Sequence, residues 1–311
     1  MSTEKPLVDI IIVNWNSGSL LRDCIISINN FASLNVASVI IIDNASVDNS
    51  LNRIGFEGLT VNIIRNDSNL GFAAACNQGA AEASSDYLLF LNPDTRLFKD
   101  SLAIPLAFLH KEENADIGIC GVQLVDESYQ IVHSCSRFPT VWMFLAQALA
   151  LNRLPWFKSW NSRMTEWDHS SNHEVDQVIG AYFFVRHSLF NQLAGFDERF
   201  FVYFEEVDFS FRAKLAGWQS MYLADTQVFH VGGGTTSQVK AHRLFYSLRS
   251  RLLYGFKHFS NQNAVLLLII TVVLEPVSRI AFSIVRGSFS DVRDTFNAYR
   301  MLFNWSLFKN S

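Results

Sequence analysis

Three carboxylates crowd the aromatic stretch FVYFEEVDFSFR, which runs from Phe201 to Arg212. Glu205, Glu206 and Asp208 fall within four positions of one another there. Burying a carboxylate is costly unless it is paired, hydrogen-bonded or bound to a cation. Partial burial also raises the proton affinity of a carboxylate, which makes it a better general base. The stretch is therefore our first candidate for catalytic chemistry.

The spacing of these carboxylates predicts different roles for Asp208 and Glu206. Asp208 lies four residues before Arg212, the spacing of an intrahelical ion pair, which favours a structural role. Glu206 has Ser210 one turn further on and no basic neighbour at helical spacing, so nothing local neutralises it. If the stretch is a helix, its apolar stripe is expected to be buried and consists of Phe204, Val207, Phe211 and Leu215.

Two further residues could hold a metal ion. Asp94 ends the segment FLNPD, and a carboxylate after a buried strand suits a hard divalent cation that shares oxygen ligands with phosphates. Pro93 restricts the backbone of that turn. His230 lies between TQVFH and VGGGTTS, and an imidazole ligand there would suit manganese better than calcium. A lone histidine is more often structural, so both readings of His230 stay open.

Over the first 125 residues, short apolar runs alternate with helix-like stretches, which predicts a mostly parallel sheet with helices on both faces. In such sheets ligands bind at the carboxyl ends of the strands. The four runs there end in or lead into the polar segments NWNSG, DNASVDNS, NDSNLGFAAACNQG and NPDT. One such loop is ordinary turn chemistry, but four at one edge favour a polar ligand. The predicted buried strands are Val8–Asn14, Ser38–Asp43, Val61–Arg65, Asp86–Asn92 and, further on, Val175–Arg186.

Charge is distributed unevenly along the 311 residues. The net charge is -4, yet residues 240–311 hold ten Lys/Arg against three Asp/Glu, which leaves an excess of negative charge on residues 1–239. A basic, apolar C-terminal quarter is typical of a membrane-surface element, with a solvated helix pair as the alternative. Its uninterrupted apolar run, Ala264–Leu274, ends at Glu275 and Pro276 and is shorter than the ~20 residues that span a bilayer. Arginines then recur every seven residues at Arg279, Arg286, Arg293 and Arg300.

The cysteines and the N-terminus predict a cytoplasmic protein. No CxxC spacing occurs, and the four cysteines sit among apolar residues, as reduced core thiols do. The segment MSTEKPLVDIIIV lacks the charged start of a signal peptide. The cysteines are Cys24, Cys76, Cys120 and Cys135.

Six motifs, taken in order, carry a family resemblance. They are VNWN, IDNAS.D.S, N.GFAAACNQG, LFLNPDT, the long segment from G..FFVR through GFDERFF.YFEEVDFSFR to GW, and H.GG. This order, from about Val8 to Gly234, resembles family 2 glycosyltransferases with the GT-A fold. Within that family the chain looks most like bacterial rhamnosyltransferases that build cell-surface polysaccharides.

The resemblance implies a donor site at the sheet edge. Asn14 and Asn16 match the family loop under the nucleotide, and Asp43 matches the acidic residue that reads base and ribose. The segment that lines the sugar-nucleotide diphosphate is matched by Asn69, Gly71 and Asn77.

The resemblance also implies metal and acceptor residues. NPD stands where many members have Asp-x-Asp, so Asp94 is the implied metal ligand, and Asn92 replaces the first aspartate. Glu206 matches the general base, while Glu205 and Asp208 line the acceptor side. His230 matches a histidine that binds metal or diphosphate in some relatives.

Taken together, these matches predict an inverting enzyme that uses Mn2+ or Mg2+ and transfers L-rhamnose from dTDP-L-rhamnose to a lipid-linked saccharide. The predicted domains are a GT-A catalytic domain at 1–240 and a helical, membrane-associating extension at 241–311. We expect a peripheral protein on the inner face of the cell membrane, with no nucleic-acid partner, and leave the oligomeric state open.

Other enzyme classes can be compared with the same sequence. A Rossmann oxidoreductase would need GxGxxG after the first strand, where NWNSGS stands. A nucleotidyltransferase usually has a glycine-rich, lysine-bearing phosphate loop near its N-terminus, and none is present. A glycosyltransferase that uses a UDP- or GDP-sugar, or an inactive module that only binds nucleotide sugars, remains an alternative.

Overall fold

The computed structural model describes residues 7–52, 55–56, 58–232 and 240–305. These residues form two compact units. The first takes its described residues from Met1–Arg137, Trp167–Glu198 and Glu205–Thr235, and the second from Phe138–Glu166, Arg199–Phe204 and Thr236–Ser311. The second unit thus combines two earlier segments with the C-terminal helices, and a domain boundary at residue 240 stays a prediction.

The strands found in the described residues all belong to the first unit. They are β1 (Val8–Asn14), β2 (Val36–Asp43), β3 (Val61–Arg65), β4 (Tyr87–Leu91), β5 (Thr95–Leu97), β6 (Ile117–Val125), β7 (Ile131–Val132), β8 (Cys135–Ser136), β9 (His173–Val175), β10 (Gln177–Val178), β11 (Tyr182–Arg186) and β12 (Gln219–His230).

The helices are divided between the units. The first unit holds α1 (Leu20–Phe31), α2 (Phe72–Ala81), α3 (Ala103–His110), α5 (His187–Gln192) and α6 (Glu205–Leu215), and the second holds α4 (Val141–Ala148), α7 (Lys240–His258), α8 (Asn261–Ile269), α9 (Glu275–Val285) and α10 (Phe289–Asn304).

The central sheet has the strand order β3-β2-β1-β4-β11-β6-β12-β5. Strands β1 to β4 run parallel, as the alternating pattern predicts, and β11 lies antiparallel between β4 and β6. In register, Asn14 pairs with Asp43, and Asp43 pairs with Arg65. The carboxyl ends of these three strands therefore lie at one edge, where the polar loops begin.

Burial follows position in the sheet. Strands β1 and β4 are buried throughout because each has a neighbour on both sides. Strand β3, also expected to be fully buried, is only partly so because it is an edge strand. The apolar faces pack with α1 and α3 into one core of the first unit.

The predicted strand Val175–Arg186 is wrong as a single element. The chain forms three short strands there, β9, β10 and β11, because each pairs with a different partner. Between the last two, the backbone N–H of Ile179 donates to Ser134 and that of Asn92 donates to Ala181. These hydrogen bonds lie where the chain leaves its pairing with β8 and begins its pairing with β4.

Helix α6 begins later than the aromatic pattern suggests. It starts at Glu205, because Tyr203 and Phe204 both have positive φ angles, 68° and 72°, and cannot belong to a right-handed helix. The predicted buried stripe is therefore confirmed at Val207 and wrong at Phe204 and Leu215. Phe209 and Ala213 enter the core with Val207, Phe204 lies outside the helix, and Leu215 is exposed.

The C-terminal helices and α4 share a second core, formed by Val141, Phe144, Ala148, Leu248, Leu252, Leu267, Ile270, Tyr299 and Leu302. Within it, α8 and α9 are joined by a π-helical turn over Ile270–Leu274, so the helix continues past Glu275 and Pro276. Pro276 has no N–H to give to Thr271 five residues earlier, and the hydroxyl of Tyr299 donates to that carbonyl instead, at 2.8 Å.

This continuous helix, Asn261–Val285, changes the membrane argument. At 25 residues it is long and apolar enough to cross a bilayer by length and composition, and 22% of its most apolar window is buried. The expectation that the segment is too short to span rested on the run of eleven residues and is wrong in that respect. Whether the helix spans a membrane must be decided from its contacts.

Candidate functional site

Asn14 joins the ends of β1 and β2. Its side chain is fully buried, and its Nδ2 lies 2.7 Å from Oδ1 of Asp43 and 2.9 Å from the hydroxyl of Ser50. Ser17 donates to its Oδ1. Asn14 therefore has its polar atoms occupied within the protein and fixes the carboxylate of Asp43, which itself is 6% exposed. Its effect on a ligand would be to orient Asp43.

Asn16 closes the loop beside this pair. It has a positive φ of 51°, its Oδ1 accepts from the N–H of Val47 at 2.8 Å, and its own N–H donates to Ser46 at 3.0 Å. The N–H of Gly18 donates to Asp48 at 2.8 Å. The loops after β1 and β2 are thus bonded into one polar wall at the carboxyl edge of the sheet.

A row of side-chain amides adjoins this wall, and three of its members, Asn44, Asn66 and Gln78, were not singled out from the sequence. Asn66 donates to Asn44 and to Gln78, both at 2.9 Å, and Asn44 donates to the carbonyl of Gly71 at 3.0 Å. Asn69 accepts from the N–H of Gly71, also at 2.9 Å. The sequence could have indicated these residues, since they fall in the polar segments that follow β2 and β3. The row sets where α2 begins.

Gly71 and Asn77 have local structural reasons for their residue types. Gly71 precedes α2 with a φ of 91°, a conformation that favours glycine. The amide of Asn77 is engaged on both sides by Phe196, donating to its carbonyl and accepting from its N–H at 2.9 Å. Asn77 also donates to Glu198 at 3.0 Å. These bonds tie α2 to the loop before α6, so a direct donor contact by Asn77 stays a prediction.

The two candidate metal ligands come together. Strand β12 pairs with β5 so that His230 lies opposite Thr95, and the Nε2 of His230 is 3.4 Å from Oδ1 of Asp94. The N–H of Val231 donates to the Asp94 carbonyl at 3.1 Å. The pKa of Cys24 is raised to about 12, chiefly by burial and in smaller part by the charge of the nearby Asp94. Asp94 is 7% exposed and Asn92 is half-buried beside it.

These residues fit a divalent ion that takes most of its ligands from elsewhere. Donor atoms roughly at right angles and about 2.1 Å from a shared ion lie about 3 Å apart, close to the separation of Asp94 and His230. No cluster of three His, Cys, Asp or Glu side chains that could hold a metal occurs in the described part of the chain. Mg2+ and Mn2+ sites commonly use one or two protein ligands together with substrate phosphates and water. Gly233, the last residue of the H.GG motif, lies outside the described residues.

Glu205 and Glu206 open α6 as an unequal pair. Glu205 is 5% exposed, and its Oε2 meets no hydrogen-bond partner in the residues described. Burial, and next the charge of Glu206, raise the pKa of Glu205 well above its usual value. Glu206 is less buried. Burial therefore favours the neutral form of Glu205, the more buried of the two carboxyls.

Asp208 behaves as the spacing predicts. Its Oδ2 accepts from Nε of Arg212 at 2.8 Å, which confirms the intrahelical ion pair. Arg212 further donates to the carbonyls of Leu193 and Gly195. Because Asp208 is fully buried, this pair fixes α6 against the preceding loop. A role of Asp208 on the acceptor side stays a prediction.

The raised pKa of Glu205 predicts a pH-dependent stability. A carboxyl whose folded pKa lies above its unfolded value stabilises the fold fully below the unfolded pKa, and this contribution is lost as the pH rises through the folded pKa. Glutamine mimics the neutral acid at every pH. Relative to the parent, Glu205→Gln should therefore gain stability as pH increases from about 5 to 9, by about 1 kcal/mol or more. Urea denaturation at three pH values measures this, and a difference that does not grow with pH would contradict it.

A separate cleft lies in the second unit and has a volume of about 370 Å³. Cations and carboxylates balance in its lining, so it has no evident preference for a diphosphate. The charged residues are Lys240, Arg279, Arg286, Glu275, Asp291 and Asp294.

The first unit therefore presents three elements of a candidate active site. These are the polar wall of β1 and β2, the Asp94 and His230 pair, and the two carboxyls that open α6. The pKa of the Cys76 thiol on α2 is raised by burial and next by an electrostatic contribution from Glu205, so the start of α6 lies close to α2. Such a set can bind a nucleotide, hold a cation and accept a proton.

Known proteins match this chain over most of its length. A model described as Glycosyl transferase family 2 matches residues 9–194. An N-acetylglucosaminyl-diphospho-decaprenol L-rhamnosyltransferase of Mycobacterium tuberculosis is 25% identical over 262 residues, covering 80% of this chain and 83% of the relative. The rhamnosyltransferase WbbL of Escherichia coli is 28% identical over 186 residues, covering 58% and 66%.

A solved structure has the same fold. The mannosyltransferase PcManGT of Pyrobaculum calidifontis, in complex with GDP-Man and Mn2+, has a TM-score of 0.60 at 14% identity and covers 97% of this chain and 88% of its own. This likeness supports the GT-A type of sheet. Because the family model covers more than half of the sequence, the chain belongs to glycosyl transferase family 2.

Proposed function

We propose that this chain is an inverting, metal-dependent glycosyltransferase that extends a lipid-linked saccharide in cell-surface polysaccharide synthesis. The proposed donor is dTDP-L-rhamnose, with a UDP- or GDP-sugar as the alternative. Two rhamnosyltransferases among the relatives support the sugar, and the decaprenol in the name of one supports the lipid-linked acceptor. The observation that carries the enzymatic proposal is the Asp94 and His230 pair, in the same unit as the unequal carboxyls Glu205 and Glu206.

In this proposal the polar wall binds the nucleotide. Asp43 accepts hydrogen bonds from the ribose and base, and Asn14 holds its carboxylate in place. Asn16 shapes the loop under the nucleotide through its bonds to Ser46 and Val47. Gly71 precedes α2 and has no side chain, so the diphosphate can approach the backbone closely there. The N-terminus of α2 also favours negative charge. Asn69 fixes that turn.

Glu206 is the proposed general base. It takes the proton of an acceptor hydroxyl while that oxygen bonds to the anomeric carbon of the donor, and the bond from that carbon to the diphosphate oxygen breaks. Attack from the opposite face inverts the anomeric centre. Glu205, kept neutral by burial, adds no second negative charge beside the incoming hydroxyl.

Asp94 and His230 would hold a divalent cation, which when bound offsets the charge of the departing diphosphate. Asp94 is directed by the bond between its own carbonyl and Val231, and by the restricted turn at Pro93. Asn92 adds no charge where many relatives have an aspartate, so Asp94 carries the main electrostatic contribution of this turn.

A lipid-linked acceptor sets the proposed location. Its saccharide is available only at a bilayer surface, so we place the protein as a peripheral enzyme on the cytoplasmic face of the cell membrane. The four cysteines are free and buried, as expected for a reducing compartment.

A ligand-induced thermal shift tests the donor. With Mn2+ present, dTDP-L-rhamnose at about 100 times its Kd should stabilise the folded chain by about 2.7 kcal/mol, which raises the melting temperature by several degrees. UDP- and GDP-sugars and NAD serve as comparison ligands, and EDTA should reduce the shift. If no nucleotide sugar of the panel raised the melting temperature with Mn2+ or Mg2+, the proposed function would be wrong.

A further inference from the structure

Large apolar side chains are exposed mainly in the second unit. Of the twenty-five that are exposed in the described residues, sixteen belong to this unit, although it is the smaller of the two. Eight of the sixteen are Trp or Phe. Extended apolar surface of this kind marks a contact with another molecule or with a membrane.

One face of α10 combines this apolar surface with positive charge. Phe289, Phe296 and Phe303 recur every seven residues and are 83%, 66% and 67% exposed. Arg293 and Arg300 lie between them and are also exposed. At 100° per residue these five side chains fall within an arc of about 80°. We call them the α10 stripe.

The stripe carries only positive charge. The acidic residues of α10, Asp291 and Asp294, project elsewhere around the helix, and both line the cleft of the second unit. Asp291 lies 3.5 Å from the Nζ of Lys240, so its charge is already opposed within the protein. Alternating rings and guanidinium groups match a bilayer surface, where apolar groups enter the acyl boundary and cations meet anionic headgroups.

Neighbouring elements expose apolar side chains as well. On the long helix of α8 and α9, Val265, Ile269, Val273 and Val277 are exposed at intervals of four residues. Trp156, in the segment that follows α4, is exposed too. Tryptophan is enriched where an apolar phase meets water.

The contacts of Glu275 decide against a spanning helix. Glu275 lies inside the 25-residue helix, is 3% exposed, and accepts from Arg251 of α7 at 2.5 Å and from Arg279 at 2.8 Å. A helix crossing the bilayer would carry this buried ion cluster, and the basic helix α7 with it, towards the hydrocarbon. Charged groups at such depth are costly. The arrangement instead suits a helical unit that lies in the plane of the surface.

We infer that the α10 stripe is the surface on which the protein docks to an anionic lipid bilayer, with its phenylalanine rings in the headgroup and acyl boundary. The inference deepens the proposed function and rests on it for the lipid-linked acceptor. The face that binds the bilayer belongs to the helical unit, and the candidate active site belongs to the other.

The test compares full-length variants in vesicle sedimentation without nucleotide sugar. Vesicles contain 30% phosphatidylglycerol in phosphatidylcholine, with pure phosphatidylcholine as the uncharged reference. The triple variant Phe289→Ser, Phe296→Ser, Phe303→Ser should lose at least ~30-fold in partitioning, because three rings no longer enter the bilayer. Arg293→Gln with Arg300→Gln should lose about tenfold on the anionic vesicles only, and high salt should release the parent protein.

A matched control removes three exposed apolar side chains from the first unit, through Ile26→Ser, Phe31→Ser and Leu215→Ser. It should partition within about twofold of the parent. Point variants are needed because a chain shortened near Tyr254 would lose α8 and α10, which share the core of α4 and α7. The stripe variant should melt like the parent and keep its donor-induced thermal shift, so failure of donor binding and failure of docking appear in different measurements.

Three results would overturn the inference. Equal partitioning of the stripe variant and the parent would remove the stripe as the docking surface. Binding that resists high salt and alkaline carbonate and yields only to detergent would indicate a spanning helix. A dimer in sedimentation equilibrium that the stripe variant dissociates, with no change in vesicle binding, would assign the face to a second copy of the chain.

Discussion

Glu206→Gln should retain donor binding and lose sugar transfer by a factor of roughly 100 to 10,000, the usual contribution of a general base. Glutamine has the size of glutamate and cannot take the acceptor proton. The start of α6 is held by the Asp208 and Arg212 pair, which the substitution does not touch. The measurement is the initial rate of transfer at saturating donor, alongside the donor-induced thermal shift.

Glu205→Gln is the matched control for this result. It changes the adjacent residue in the same way, but burial already favours the neutral form of that side chain, so transfer should fall much less than in Glu206→Gln. If Glu206→Gln transferred sugar at the parental rate, Glu206 would not be the base. If Glu205→Gln suffered the larger loss, the roles of the two residues would be reversed.

Asp94→Asn and Asp94→Ala should remove the manganese-dependent part of nucleotide-diphosphate binding, raising the Kd roughly 100-fold or more. Loss of a residue that only supports a ligand costs metal sites 10- to 100-fold, and Asp94 is proposed to contact the ion itself. Asparagine keeps the size of the buried side chain, which separates loss of charge from loss of packing. Titration of dTDP with and without Mn2+ measures the effect.

His230→Ala should weaken the same binding less, because Asp94 supplies the negative charge. The contrast between the two positions is informative because they lie 3.4 Å apart and share their surroundings. Full transfer activity in excess EDTA would disprove metal dependence. A cationic side chain would then have to stabilise the departing diphosphate.

Much of the sheet could be predicted because its strands are long apolar runs. Val8–Asn14 and Val61–Arg65 have the predicted bounds. The segment Val175–Arg186 could not be resolved in the same way. The segment is largely apolar, and the three strands that it contains or overlaps differ in their partners, which lie far away along the chain.

The start of α6 shows a different limit of sequence patterns. The aromatic spacing around Phe204 fits a helix, yet two successive positive φ angles end the helical region before Glu205. The residue types of Tyr203 and Phe204 do not predict this conformation, because positive φ angles are rare for bulky residues and depend on the surrounding structure.

Side chains at the candidate site were partly predictable. The ion pair of Asp208 and Arg212 follows from a spacing of four and is confirmed. The approach of His230 to Asp94 depends on the pairing of β12 with β5, which joins segments more than 130 residues apart. The two hydrogen bonds between Asn77 and Phe196 likewise join residues that are far apart in the sequence. Residue types alone therefore indicated polar chemistry at these positions and not their partners.

The most direct test of the account is the product of the parent enzyme. The protein is incubated with dTDP-L-rhamnose, Mn2+ and an acceptor saccharide on a polyprenyl diphosphate, and the product is examined by mass spectrometry and by NMR of its anomeric carbon. The account predicts acceptor-dependent release of dTDP and one added sugar with the opposite anomeric configuration to the donor. A product that retains the donor configuration, or no transfer from any of the dTDP-, UDP- and GDP-sugars that bind, would contradict it.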